Sequence, residues 1–291
     1  MQIRYINPNG DKLELDDWPK SRGYLLQNWE GFGEIPTYIQ TQKAPFQDGE
    51  TLIDQLLEPR NMTVDLVMFG ETKQGIYDKR RKLQKLFNPK LGTGVLQWEQ
   101  EDGTTYEIEV VPDGSPQFPG GNAKSNFHQT ALIYFKAPNP FWKTDYISDG
   151  ILSFFVPEFG FPLELSNEYE LETDGTNRTI LTNDGDVKTP VFIEFFGPAS
   201  NPKIINETTG EYIEVTQELL EGEKLLINTA FGKKSVIFDN GNEQVNAFGQ
   251  IDLHSTFWQM QVGDNSIVYT ADQGIDTASM NISFKERFIG V

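Results

Sequence analysis

One stretch of this chain has the residue spacing of a helix, and almost all the rest has the character of β-strands. In residues 72–88, apolar side chains recur at the three-, four- and seven-residue offsets of one helical face: Ile76, Leu83, Leu86 and Phe87. Thr72 can cap the start of this helix. Pro89 ends it, because proline has no amide hydrogen to donate.

Outside this segment, short runs of aromatic and β-branched residues alternate with turn clusters, which is typical of antiparallel sheets. The clearest strands of the first half are predicted at 62–69, 94–100, 105–111 and 127–135. The second half predicts strands at 151–156, 178–182, 190–196, 211–215, 224–228, 234–238, 266–270 and 279–284, with turns that include 263–265. So many short strands in a row favour a sandwich or jelly roll.

Two features of the first half concern its loops. Residues 97–111 have the pattern of a hairpin with Asp102 and Gly103 at its tip. Residues 112–126 form a long polar segment rich in proline and glycine between two strands. It is predicted to be either a functional projection or a mobile hairpin end.

The 291 residues are enough for two domains, each with its own core. We place the boundary just after residues 137–142, where two prolines and two aromatics interrupt the strand pattern, giving domains 1–144 and 145–291. The first half has 16 basic and 19 acidic side chains, a net charge of −3; the second has 8 and 24, a net charge of −16. Such an acidic surface repels phosphates, so specific nucleic-acid binding is not expected.

Several classes of protein are disfavoured by what the sequence lacks. It has no cysteine, which excludes disulfides, thiolate metal sites and cysteine nucleophiles. The two histidines, His128 and His254, stand in no catalytic motif, and no cofactor or metal signature is present. No run approaches the ~20 apolar residues of a membrane span, and the first residues lack a signal-peptide pattern, which predicts synthesis and assembly in the cytoplasm.

Two groups of residues are candidates for binding. Seven of the 24 basic residues lie between Lys73 and Lys90, with one acid, Asp78. Their face is either solvated or an interface between subunits, in which Arg80, Arg81, Lys82 or Lys85 meets carboxylates of a neighbouring copy. Five tryptophans favour core packing, with sugar stacking as the alternative and Trp258 as its candidate.

Several segments resemble the distal tail proteins of long-tailed siphophages and prophages, and the resemblance covers nearly the whole chain. They are Leu57-Glu58-Pro59-Arg60 before a strand, Leu86-Phe87-Asn88-Pro89 at the helix end, the glycine turn at 92–96, Asn139-Pro140-Phe141-Trp142 at the end of the first domain, the strand approach at 183–190 and the hairpin at 204–215.

This resemblance implies a mainly β protein with an N-terminal barrel-like or split-barrel sheet domain carrying one helix, and a C-terminal galectin-like, jelly-roll β-sandwich. It also implies a non-enzymatic hub of the virion tail tip or baseplate. Six copies would close into a ring that joins the tail tube protein to the tail-associated hub or lysin protein and supports receptor-binding proteins.

Two other hypotheses remain open at this point. One is a carbohydrate-binding module acting in adhesion to the host surface. The other is a glycosidase, whose paired carboxylates must stand ~5 to 9 Å apart, a separation that sequence spacing does not test.

Overall fold

The structure is a computed structural model and describes residues 2–16, 23–145, 147–153 and 177–291. The chain divides into two compact units, Met1–Asp145 with Phe288–Val291, and Tyr146–Arg287. Both are built mainly of β-strands, as predicted. Of the sequence features above, Trp18 and the second half of the predicted strand 151–156 lie outside the described residues.

A curved antiparallel sheet forms the body of the first unit. The strands of the first unit are β1 (Gln2–Ile6), β2 (Lys12–Asp16), β3 (Tyr24–Glu30), β4 (Thr37–Gln42), β5 (Thr51–Leu57), β6 (Arg60–Phe69), β7 (Gly94–Glu99), β8 (Thr105–Pro112), β9 (His128–Ala137) and β10 (Trp142–Thr144). Seven of them follow the order β2-β1-β7-β8-β9-β6-β3. Because β2 and β3, at the two ends of this order, lie beside each other, the sheet curves towards a barrel.

Strand β8 makes the corner of this curved sheet. Its residues 105–110 pair with β7, whereas Val111 and Pro112 pair with β9. Inward-facing side chains of β6, including Met62, Val64 and Leu66, are buried in the core that the sheet encloses. A strand that changes partners lets one core be covered from both sides.

The helix α1 (Lys73–Leu86) lies where the spacing predicts it. The Thr72 hydroxyl accepts a hydrogen bond from the Gly75 amide at 3.1 Å, which caps the first turn. The buried residues of the helix are Ile76, Leu83 and Leu86. A short 3-10 turn, Pro89–Leu91, follows directly, so the helix ends before the proline as expected.

The two predicted loop features have different outcomes. The hairpin β7–β8 is confirmed, with its tip closed by a hydrogen bond from the Gln100 amide to the Thr104 carbonyl at 2.9 Å. The segment 112–126 is not a projection. Gln117 and Leu132 exchange backbone hydrogen bonds at 2.9 Å, and the side-chain amide of Gln129 donates to the Pro119 carbonyl at 2.7 Å, so the segment folds back along β9.

The second unit contains two sheets and a small ribbon. Its strands are β11 (Ser148–Ser153), β12 (Arg178–Asn183), β13 (Thr189–Phe196), β14 (Ala199–Ser200), β15 (Lys203–Asn206), β16 (Glu211–Glu214), β17 (Glu218–Leu219), β18 (Lys224–Asn228), β19 (Ser235–Asp239), β20 (Gln244–Asn246), β21 (Gln259–Met260), β22 (Gly263–Thr270) and β23 (Ser279–Phe284). The chain continues in β24 (Arg287–Phe288), whose second residue belongs to the first unit. One sheet has the order β11-β23-β13-β18-β19-β20, and the other β12-β22-β15-β16.

The two sheets enclose one apolar core, which is the arrangement of a β-sandwich. Alternate residues point into it, for example Met280, Ile282 and Phe284 in β23, as the sequence pattern predicts. The predicted turn at 263–265 is wrong, because these residues begin β22. The buried Asn265 side chain accepts a hydrogen bond from the Gln261 amide at 2.9 Å, so the bend lies just before the strand.

Candidate assembly surfaces

The strands β4 and β5 form a two-stranded hairpin that we call the exposed hairpin, residues 37–57. Hydrogen bonding pairs these two strands with each other and, in the described residues, with no other strand. Its large apolar side chains are exposed: Tyr38 53%, Ile39 53%, Leu52 54%, Ile53 59%, Leu56 50% and Leu57 37%.

Apolar side chains lie on both faces of the exposed hairpin. Tyr38 is opposite Leu56 on one face, and Thr41 is opposite Leu52 on the other. Because side chains directly opposite each other share a face and successive residues alternate, neither face is wholly polar. A two-stranded ribbon of this kind is at best marginally stable on its own in water, so the hairpin is well suited to being covered by another protein surface.

The tip of the exposed hairpin is ordered by its own hydrogen bonds and presents Phe46. The Gln47 side chain accepts a hydrogen bond from the Ala44 amide and donates one to the Thr51 hydroxyl, each at 3.0 Å. Phe46 has a φ of 66° and is fully exposed. A bulky residue in the left-handed region is a conformational outlier, and such outliers concentrate at functional sites.

The root of the exposed hairpin is held by a buried arginine. Arg60, at the start of β6, is 0% exposed and donates hydrogen bonds to the carbonyl oxygens of residues 31, 32 and 34, at 3.0, 2.7 and 2.7 Å. These three residues lead from β3 into the hairpin. Gly31 is required there, because a Cβ on it would lie 2.1 Å from the Asn61 carbonyl oxygen.

Arg60 also binds chain segments far from the hairpin. It donates to the Pro140 carbonyl at 3.1 Å and to the Ile289 carbonyl near the C-terminus. Burial lowers the pKa of the Arg60 guanidinium. Its five planar donors suit this role, since they satisfy several carbonyl oxygens at once. The sequence motif Leu57-Glu58-Pro59-Arg60 contains this residue, but the pattern of the motif does not predict that the arginine is buried.

The four helix residues predicted as an interface do not form one patch. Successive helical residues are about 100° apart, so Arg80 and Lys82 lie on nearly opposite flanks of α1. The Arg80 guanidinium stacks 4.5 Å from the Phe118 ring of the folded-back segment 112–126. Lys82 and Lys85 border a different cleft, which Asp11 and Lys12 also line. By the same rotation, the position of Arg81 on the helix lies between the two groups.

The charges of these four side chains are not balanced locally. In the described part of the chain, none of them forms an ion pair within 4.0 Å. Lys79 of the same helix differs, because its amino group donates to the Gly23 and Phe69 carbonyl oxygens at 3.2 and 2.5 Å. The helix therefore offers two separate cationic flanks to any partner.

Trp258 does not fit the sugar-stacking role predicted for it. Its side chain is 1% exposed and belongs to the core of the second unit, so the ring has no face available to a ligand. Trp98 and Trp142 are likewise buried, at 7% and 0% exposure. Core packing is the use that the structure makes of these large rings.

The described residues contain no assembled catalytic or metal site. His128 Nδ1 lies 2.7 Å from the Ser125 hydroxyl in a tight turn, a structural use of histidine. His254 is exposed and lies 3.5 Å from an Asp252 carboxylate oxygen. Across the same ranges, no group of three or more His, Asp or Glu side chains is placed to hold a metal, and no helix is long and apolar enough to cross a membrane.

Comparisons with known proteins agree on the architecture. Residues 18–139 match the family model of the phage tail protein RIFT-related domain, and residues 184–288 match that of the siphovirus-type tail component, C-terminal domain. A comparison with curated protein sequences finds no match.

The fold is also similar to solved phage proteins. The crystal structure of the Dit protein of phage SPP1, described as a paradigm of the hub adsorption apparatus in phages infecting Gram-positive hosts, has a TM-score of 0.70 and 13% identity, over 98% of this chain and 99% of that chain. A chain of the phage P2 baseplate, in its activated conformation with Ca, has a TM-score of 0.59 and 12% identity, over 100% and 99% of the two chains. At these identities the likeness concerns the fold.

The two family models together cover both units of the chain, and each matches the unit whose β architecture it describes. Such proteins are structural parts of the virion, in which tail domains serve assembly rather than catalysis. The chain belongs to the siphophage distal tail protein family and is a structural component of the phage tail.

Proposed function

We propose that the protein is the hub of the tail tip, in which six copies close into a ring. The ring joins the tail tube protein on one side to the tail-associated hub or lysin protein on the other, and it supports the receptor-binding components. Assembly takes place in the cytoplasm of the bacterial host. Residues 1–144 are the ring-forming domain and residues 145–291 the outer sandwich domain.

The exposed hairpin carries this proposal. It presents apolar side chains on both faces, and burying such surface against another copy gains roughly 25 cal/mol per Å². A hairpin on one copy that covers a different surface on the next makes a heterologous contact, and heterologous contacts generate closed rings when the rotation fits. A ring also protects the unpaired strand edges of the hairpin from uncontrolled pairing.

The distribution of charge supports the same arrangement. The near-neutral half, with a net charge of −3, can pack closely against its copies, whereas the half with −16 repels its copies and favours an outer position. The cations of α1 add orientation: Arg80 on one flank, and Lys82 and Lys85 with Arg81 on the side nearer to them, meet carboxylates of neighbouring copies.

The test makes the exposed hairpin polar while keeping its strand propensity. We expect the triple variant Leu52→Thr, Ile53→Thr and Leu56→Thr to remain folded and to lose the ring, since threonine suits a strand but removes the apolar contact. Light scattering coupled to size-exclusion chromatography measures the mass, and negative-stain microscopy shows the ring.

The control changes exposed apolar residues of the second unit, Ile180→Thr and Phe231→Thr, which are 65% and 91% exposed. This control should assemble as the wild type does. A hairpin variant that still forms rings would rule out the hairpin as the interface. A wild-type protein that stays monomeric at every concentration would contradict the ring itself. The double variant Lys82→Glu and Lys85→Glu, measured in the same way, contradicts the role of the helix if it assembles normally.

A further inference from the structure

Residues 288–291, which we call the returning segment, come back to the first unit after the chain has passed through the second. They group with residues 1–145 in one compact unit. The strand β24, which contains Phe288, pairs with β10, and the Phe288 ring lies edge-on to the Tyr106 ring with centroids 5.2 Å apart. Phe288 and Val291 pack against the core of the first unit. The first unit is therefore completed by residues that follow the whole second unit in the sequence.

The returning segment lies directly against the chain that leads into the exposed hairpin. A Cβ added to Gly290 would lie 2.7 Å from the Gly33 carbonyl oxygen and 3.1 Å from the Gly33 Cα, so the two backbones are in close contact. The Ile289 carbonyl accepts a hydrogen bond from Arg60, whose guanidinium also binds the carbonyl oxygens of residues 31, 32 and 34. The returning segment and residues 31–34 thus share one arginine.

The root of the exposed hairpin sets the orientation of the whole hairpin. The Glu58 amide donates to the Pro36 carbonyl at 2.8 Å, which closes the base. The Trp142 indole N–H donates to the Phe32 carbonyl at 2.9 Å, and Phe32 is buried. Beyond this base, hydrogen bonding in the described residues joins the two strands of the hairpin only to each other. Any loosening of residues 31–34 therefore changes how the hairpin is held.

Arg60 links the returning segment to this root. Its buried guanidinium directs its donors to carbonyl oxygens from three parts of the chain: residues 31–34, Pro140 and Ile289. Detaching the returning segment leaves one donor without its acceptor and opens the guanidinium to water. Because hydrogen bonds in a dry interior are stronger than those that compete with water, the remaining bonds to residues 31–34 would hold the root less firmly.

We propose that the returning segment acts as a latch that fixes the exposed hairpin in one orientation. When the segment is docked, Gly290 packs on Gly33 and Ile289 completes the bonding of Arg60, so the root is rigid. When it is not docked, the hairpin moves about its root. A surface that is ordered in advance binds more tightly, because binding does not have to order it. The effect on assembly rests on the proposed ring, whereas the effect on the hairpin does not.

The place of the latch in the sequence adds a consequence for assembly. The ribosome makes residues 288–291 after the rest of both units, and domains generally fold as the chain emerges. A chain that has not yet made or docked these residues therefore holds its hairpin loosely. Such a chain is a poor ring subunit, so the latch favours the entry of chains whose second unit has already been synthesised.

Hydrogen exchange on the full-length protein, at a dilution where rings are absent, tests the latch. Gly290→Ala places a Cβ against the Gly33 carbonyl and pushes the returning segment away. Phe288→Ala removes the contact with the Tyr106 ring. Both variants should speed exchange of the Glu58 amide and of the exposed hairpin roughly tenfold or more, since segments that open locally lose protection. The amides of α1 should keep their wild-type rates, which shows that the first unit remains folded.

The matched control is Gly33→Ala, the same change on the facing glycine. A Cβ there would have no atom within 4 Å, so exchange should stay within about twofold of the wild type. Hairpin amides that exchange equally fast in the wild type, Gly290→Ala and Phe288→Ala would overturn the latch. Equally faster exchange of α1 would also overturn it, because the segment would then support the whole unit.

Light scattering at higher concentration tests the effect on assembly. Gly290→Ala and Phe288→Ala should weaken the ring, and Gly33→Ala should not. Rings that form normally from variants with a loosened hairpin would overturn the role of the latch in assembly. A wild-type protein without rings would contradict the proposed function, and the exchange rates would still decide whether the returning segment holds the hairpin.

Discussion

Two hairpins of the first unit use similar local chemistry and have opposite surroundings. In β7–β8, Leu96 and Trp98 point into the core and are 1% and 7% exposed. In the exposed hairpin, Leu56 faces Tyr38 and both are at least half exposed. Both hairpins are antiparallel and both have a turn ordered by its own hydrogen bonds, so strand pairing alone does not explain the difference.

The order of residues explains part of this difference. The strand β7 alternates, with one buried face and one less buried face, whereas β5 places apolar residues side by side, Leu52 with Ile53 and Leu56 with Leu57. Adjacent strand residues point in opposite directions, so each such pair puts one apolar side chain on each face. A strand of this kind has no solvent side, which indicates a partner where the described residues supply no covering layer.

The turns of the two hairpins also differ, in the residue that occupies the left-handed backbone position. The left-handed position in the β7–β8 turn is occupied by Gly103, with a φ of 89°, which costs little. The exposed hairpin has Phe46 in that region. Phenylalanine in this backbone conformation does not stabilise the monomer. Its presence is explained if the ring of Phe46 is needed for binding.

The largest effect is expected at the root of the exposed hairpin. Arg60→Ala leaves several carbonyl oxygens without a donor and opens a cavity, and we expect the free energy of unfolding of the first unit to fall by about 3 to 5 kcal/mol. Arg4→Ala is the control, since Arg4 forms an exposed ion pair with Glu14 worth about 1 kcal/mol or less. Urea denaturation followed by tryptophan fluorescence measures both, and equal losses would contradict the role assigned to Arg60.

A matched pair of leucine substitutions compares the two hairpins directly. Leu96→Ala removes a buried side chain and should lower the free energy of unfolding by about 2 to 5 kcal/mol. Leu56→Ala should change it by about 0.5 kcal/mol or less in the monomer, because the side chain is half exposed there. The measurement uses dilute protein, where rings are absent. A large loss from Leu56→Ala would mean that the exposed hairpin is part of the monomer core.

The smallest effect on stability is expected at the tip. Phe46→Gly relieves an unfavourable backbone conformation, so the monomer should become more stable by up to about 1 kcal/mol, or remain unchanged. Ring formation should weaken at the same time, because the aromatic side chain is gone. Thermal unfolding and light scattering on the same sample check the two expectations. Loss of stability without loss of assembly would show that Phe46 serves the monomer.

Local signals predicted much of the fold. The helix was predicted from its apolar spacing, its Thr72 cap and Pro89, all of which act within a few residues. The β7–β8 hairpin and the strand β23 were equally predictable from the sequence. The hairpin has a turn signal, and the strand has the alternation that goes with one buried face. Interactions of this range depend little on the rest of the chain.

Other features depended on residues far apart in sequence. Arg60 is buried because segments near residues 31, 140 and 289 converge on it, and no local pattern reports that convergence. The segment 112–126 has the composition of a projecting loop, yet Gln117 pairs with Leu132 and Phe118 contacts Arg80. The exposed hairpin, in contrast, has a local sequence signal: side-by-side apolar pairs stand on both sides of Asp48 and Gly49.

The same division applies to the candidate sites. The sequence predicted a cationic helix but placed Arg80, Arg81, Lys82 and Lys85 in one group, and the rotation of the helix separates them onto two flanks. It offered Trp258 as a ligand platform, and the sandwich buries that ring. Residue type sets what a side chain can do, while exposure is a property of the packed core.

By itself, the sequence determined the β character of the chain, its capped helix, the asymmetry of its charge and its resemblance to phage tail proteins. The tertiary structure decided which apolar residues are buried, which cation serves as a structural clamp, and that one hairpin remains uncovered by the rest of the described residues. The physical reason is the separation along the sequence over which each kind of interaction acts. Capping, alternation and turn chemistry act over a few residues, whereas burial depends on contacts between distant segments, such as Arg60 and Ile289, which are 229 residues apart.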